Sequence, residues 1–167
     1  GNVEAERFLD PGLLYLSGPT QWAGLVQAYG QAELDVPDVE AGEINLASIV
    51  LGSLVQEQTV TRTLTATRAG TYDVAADIPG VDVSVSPTTL TFAGPGDAQE
   101  FTVAFTNESA AVEVWASGML TWTGEDGTSV RSPLVVRPIT ADATALVTGD
   151  GIGGSADVSI VAGVTGE

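Results

Sequence analysis

The run Glu100-Phe101-Thr102-Val103-Ala104-Phe105-Thr106 places a large apolar side chain at every second position, with small or polar ones between. In an extended chain successive side chains point to opposite faces, so Phe101, Val103 and Phe105 share one face and Thr102, Ala104 and Thr106 the other. Tyr72, Val74, Ala76 and Ile78 stand against Asp73 and Asp77 in the same way. Thr, Val, Ile and Phe dominate from Ile44 onward, and turn residues recur at the spacing of short strands. Candidate strands fall at 45–51, 59–67, 72–78, 81–85, 89–93, 100–106, 112–123 and 128–137, with Gly124-Glu125-Asp126-Gly127 as a hairpin turn. Val114, Leu120 and Trp122 are expected on one inward face. Short alternating strands with almost no helix between them predict an all-β fold, an antiparallel β-sandwich over residues 41–140.

Ahead of the strands the pattern differs. Asp10-Pro11-Gly12 is a turn signal before the apolar run Leu13-Leu14-Tyr15-Leu16. Thr20 can cap one short helix over about 20–29, in which Trp22, Leu25, Val26 and Tyr29 recur at helical spacing and which Gly30 stops. Glu33, Asp35, Asp38, Glu40 and Glu43, with Pro37 among them, read as a solvated linker. After Thr140, two apolar runs around the glycine-rich stretch 149–154 look like the start of a further β-domain, 141–167.

Composition narrows the chemistry. The 167 residues carry 22 acidic against 5 basic side chains, a net charge of −17, and contain no histidine or cysteine. Ser-His-Asp and Cys-His pairs, imidazole or thiolate metal ligands and disulfides are therefore excluded. A surface this acidic repels phosphate backbones and anionic lipid headgroups, so neither nucleic acid nor membrane is an expected partner. Hydrophobic residues make up 44%, enough for a folded core. No run is long enough to span a bilayer and no signal sequence is present. The opening Gly1-Asn2-Val3 suggests a piece of a longer protein.

The acidic linker lacks the glycine and closing glutamate of a calcium loop, and no Lys-Ser/Thr follows the glycine-rich turn between Asp150 and Asp157 to make a phosphate cradle. Glu125 with Asp126, or Glu108 with Glu113, are arithmetical pairs for glycoside hydrolysis, but their exposed settings give no means of raising a pKa. Asn107-Glu108-Ser109 matches a glycosylation sequon. No catalytic, cofactor-binding or metal-ligating residue is assigned. Arg62 breaks parity by standing between Val60 and Leu64 on the inward face. A bulge could turn it outward, a carboxylate could pair it at the sandwich end, or it could face another domain. Trp115 and Met119 fall opposite the expected core, and packing against a neighbouring domain suits them better than ligand binding.

Seven motifs in order resemble the C-terminal part of large subtilisin-like serine proteases. They are Asp10-Pro11-Gly12-Leu13-Leu14-Tyr15, Ile44-Asn45-Leu46-Ala47-Ser48-Ile49, Thr59 to Thr65, Val83 to Phe92, Phe101 to Phe105, Gly118 to Thr123 and Val130 to Val136. The resemblance implies a fibronectin type III-like (immunoglobulin-like) sandwich in a secreted bacterial peptidase, extracellular or at the cell surface. Residues 1–40 would then be the linker from the catalytic domain. The family's Gly-Thr-Ser-Met nucleophile run is absent, and Thr128 stands where relatives often carry histidine.

Two functions follow as expectations. The first is a non-catalytic accessory domain that packs on and positions the protease domain of the same polypeptide, with Arg62, Arg131 and Trp115 as inter-domain contacts. The second is a stand-alone adhesion or surface-display module that binds protein or glycan. Oligomeric state is left open by the sequence.

Overall fold

The computed structural model describes residues 10–143, 155, 158 and 160–162. A two-residue strand, β1 (Leu13–Leu14), precedes an α-helix, α1 (Pro19–Ala28), and a short 3-10 helix at Ala41–Glu43. The strands β2 (Ile49–Leu54), β3 (Glu57–Ala66), β4 (Gly70–Asp77), β5 (Val81–Ser86), β6 (Thr89–Phe92), β7 (Ala98–Asn107), β8 (Ala116–Gly124) and β9 (Ser129–Pro138) follow. They form two sheets, one ordered β1-β3-β7-β5 and the other β2-β9-β8-β4-β6. A separate hairpin pairs β10 (Ala141–Ala143) with β11 (Ile160–Ala162).

Alternation places the core between the sheets. Leu64, Phe101, Val103 and Phe105 of the first sheet meet Tyr72, Leu120, Trp122, Leu134 and Val136 of the second, all buried. Fully burying each large apolar side chain contributes roughly 1.5–3 kcal/mol, so this layer supplies most of the driving force. Phe101 packs edge-on against Trp122 at 5.2 Å, and Tyr72 against Phe92 at 6.0 Å. Such aromatic pairs add about 0.5–1.5 kcal/mol beyond area. The Trp122 indole N–H lies buried without a partner among the described residues.

Several expectations shift. Every sandwich pairing is antiparallel except β2 with β9, where Ile49 lies beside Leu134 in parallel register. The chain then crosses from one sheet to the other through Val55 and Gln56, whose φ of +54° makes the corner. The first sheet also recruits β1, drawn from residues ahead of 41, through Leu14 opposite Thr65. Val114 is exposed rather than inward, because β8 starts only at Ala116, after a turn with Glu113 at φ +63°. The helix begins one residue early, with Gly18 as its N-cap and Pro19 in the first turn, so Thr20 is not the cap.

Candidate functional site

The leading segment is fastened to the sandwich at two points. At the first, Gly12 adopts φ +82° and a Cβ there would lie 2.9 Å from the Tyr72 hydroxyl, so only glycine fits the turn. The Thr67 N–H donates to the Gly12 carbonyl at 2.9 Å and the Thr67 hydroxyl to Asp10 Oδ1 at 2.8 Å. Arg68 then spans Asp10 at 3.1 Å and Asp126 at 2.6 Å, tying the Asp10-Pro11-Gly12 turn to the β8–β9 hairpin. Hydrogen bonds from Thr128, with Arg68 behind them, hold the Asp126 carboxyl below the usual carboxylate range. Isolated surface ion pairs contribute little, but here one guanidinium joins two otherwise separate turns.

The second point is Asn45. Its Nδ2 donates to the Leu16 carbonyl at 3.0 Å and the Thr63 carbonyl at 2.8 Å, while its Oδ1 accepts from the Thr63 N–H at 2.9 Å. One buried amide thus continues the edge pairing of β3 where β1 stops. Arg62 lies next to it and is 3% exposed. No bulge turns it outward, and no carboxylate pairs with it among the described residues. Its Nε donates to the Leu46 carbonyl at 3.2 Å and its Nη1 to the Thr61 carbonyl at 2.8 Å. Burial pushes this guanidinium below its ordinary pKa, with the facing Tyr15 opposing the shift. The Tyr15 hydroxyl shares a 2.8 Å hydrogen bond with the fully buried Ser132 of β9, so this polar cluster links both sheets.

Between these fastenings α1 carries the acidic segment on its own surface. Gly24 is the buried helical residue, and a Cβ there would come within 2.4 Å of the Pro37 carbonyl oxygen. Gln27 works as a hub. Its Nε2 donates to the Val36 carbonyl at 2.6 Å and to Asp38 at 2.8 Å, and its Oε1 accepts from the Leu34 N–H at 2.8 Å. The stretch read as a solvated linker is therefore folded back on the helix. On the helix, Trp22, Val26 and Tyr29, one stripe at helical spacing, remain 43%, 40% and 63% exposed, with Leu16 exposed nearby in sequence.

The remaining predicted residues separate. Trp115, 54% exposed, lies over Gly52 on β2, its ring 3.8 Å from where a Cβ would stand, with exposed Val50 and Val114 on the same elements. Arg131 is exposed on the outer face of β9 opposite Thr121. It is the one arginine among the described residues whose guanidinium has no carboxylate or carbonyl partner. Of the carboxylate pairs, Asp126 is held by Arg68 and Glu113 by Arg137. The Asn107 amide closes its own turn with Ala110. Among the described residues no three carboxylates converge as a metal site. The glycine-rich turn, Asp150 and Asp157 lie outside the described residues.

Residues 43–136 match the family model described as the fibronectin type-III domain. The chain belongs to the fibronectin type-III domain family. This fibronectin type-III chain is 29% identical over 152 residues to subtilisin-like protease SBT3.16 of Arabidopsis thaliana, covering 82% of itself and 20% of that protein. It is 32% identical over 152 residues to SBT3.3 of the same plant, with 82% and 19% coverage. To subtilisin-like protease SBT3 of Solanum lycopersicum it is 27% identical over 160 residues, with 83% and 21% coverage. The chain spans about a fifth of the length of these relatives. Because 82% exceeds what residues 43–136 make up, the likeness runs beyond the sandwich. These relatives are plant proteins, and the bacterial setting implied by the resemblance gains no support from them.

Proposed function

We propose that this fibronectin type-III domain is a non-catalytic accessory module of a secreted subtilisin-like serine endopeptidase. It packs on the protease domain of the same polypeptide and holds it in position. The observation that carries this reading is the exposed stripe Leu16, Trp22, Val26 and Tyr29 on a segment that the Asp10–Arg68–Asp126 and Asn45 fastenings hold against the sandwich. Contiguous exposed apolar side chains mark interaction surfaces, and fastened ones lose less freedom when they dock. Arg131 on β9 and Trp115 over β2 supply two further, separate contacts. Arg62 contributes from beneath the surface by gripping the carbonyl of exposed Leu46.

The test is to produce the parent protein with and without residues 41–140. Removal is expected to lower the folding yield, the thermal midpoint and the peptidase rate of the catalytic region. Unchanged values for all three would overturn the packing role and favour the adhesion module.

A further inference from the structure

We propose that the open edge of β3 takes up an extended peptide with alternating basic and apolar side chains as an added strand. On one side β3 pairs with β7 from Glu57 to Thr65. On the other, β1 reaches only Thr65 and Ala66, and Asn45 covers Thr63. In an antiparallel strand alternate residues turn both backbone groups to one side. Since those of Thr63 meet Asn45, those of Thr61, Thr59 and Glu57 face the same edge. Arg62 takes the Thr61 carbonyl. The Thr59 N–H and C=O and the Thr61 N–H have no partner among the described residues.

A cleft of about 660 Å³ lies along this edge, walled by Gln21, Glu43, Leu51 and Glu100 as well as by β3 itself. The Gln21 Oε1 is buried without a hydrogen-bond donor among the described residues. An incoming strand supplies both the room-filling backbone and donors, the mode by which sheet edges accept peptides. Charge selects the occupant. By parity Glu57 and Glu100 stand on the outer face of the sheet, with Glu43 beside the cleft, so outward side chains of an added strand meet carboxylates. Its alternate side chains fall inward beside Val60 and Leu51, which are apolar. A second copy of this chain, at a net −17, would set acid against acid. Arg62, the cation at the cleft, is bonded to two main-chain carbonyls and has N–H donors left for a peptide carbonyl. None of this depends on the packing role proposed above.

The experiment titrates a labelled short peptide alternating arginine and valine with the whole chain, read by fluorescence anisotropy. The same peptide with N-methylated amides, a glutamate-for-arginine peptide and the Thr59→Pro variant serve as comparisons. Proline at this position removes an edge-facing N–H and no donor to the β3–β7 ladder. Binding is expected to weaken about tenfold or more with N-methylation and with Thr59→Pro, and to vanish for the glutamate peptide. Equal binding of the N-methylated peptide would reduce the effect to bulk charge attraction and overturn the proposal. So would absence of saturable binding, or a dimer that Thr59→Pro returns to monomer. If Thr59→Pro does not fold, Glu57→Lys with Glu100→Lys replaces it: loss of binding is expected, and retained binding is fatal to the idea.

Discussion

Arg62 sits on an inward position of β3 with main-chain carbonyls as its partners. Parity between Val60 and Leu64 pointed inward correctly. The sequence could not show that the strand edge leaves carbonyls for a guanidinium to bind, since backbone acceptors do not appear in a side-chain pattern. Tyr15 completes the cluster: burial pushes its hydroxyl above the ordinary phenol range, while the Ser132 hydrogen bond and the Arg62 charge pull it back. A raised folded-state pKa means that the unfolded chain gives up this proton first. Tyr15 thus contributes fully below the unfolded value of about 10, and its contribution is lost as pH rises through the folded value. Urea midpoints measured across the alkaline range are expected to fall less steeply in Tyr15→Phe than in the unaltered chain. At neutral pH the variant should be weaker by about 1–3 kcal/mol, because Ser132 loses its partner. Parallel pH slopes for the two proteins would contradict the assignment.

Among the elements, α1 was legible and its environment was not. The spacing of Trp22, Leu25, Val26 and Tyr29 marked a helix, but an apolar stripe normally faces a core, and here Trp22, Val26 and Tyr29 face solvent while Leu25 is half-buried. The side that packs is marked by Gly24 and Gln27, residues whose small size and amide chemistry carry no hydrophobic signal. Gly24→Ala separates these effects. Alanine gains about 1 kcal/mol of helix propensity, yet its Cβ would press within 2.4 Å of the Pro37 carbonyl. Overpacking of this kind costs about 1–3 kcal/mol, so the loop should loosen. Amide exchange at Leu34, whose N–H rests on Gln27, is expected to quicken while β7 and β8 stay protected. Unchanged or slower exchange at Leu34 would show that the loop is not seated through Gly24. The same contrast holds for strands: alternation identified β3 through β9, whereas β1 is too short for a period and the parallel placement of β2 depends on a crossing at Gln56.

Across the molecule, the fibronectin type-III sandwich buries its alternating faces well and leaves exposed apolar side chains on the segment that leads into it, around Val50, Val114 and Trp115, and on β11. Absence of histidine and cysteine rules out imidazole and thiolate chemistry directly from composition. The exposed stripe on α1 could not be read that way, because a helical period does not say which surface it meets. The proposed packing requires that stripe to meet the protease domain of the parent polypeptide. Hydroxyl-radical footprinting of Trp22 and Tyr29, in the Gly1–Glu167 chain alone and in the intact parent, tests it most directly. Both side chains should be labelled in the isolated chain and protected in the parent, whereas equal labelling in the two would contradict the account.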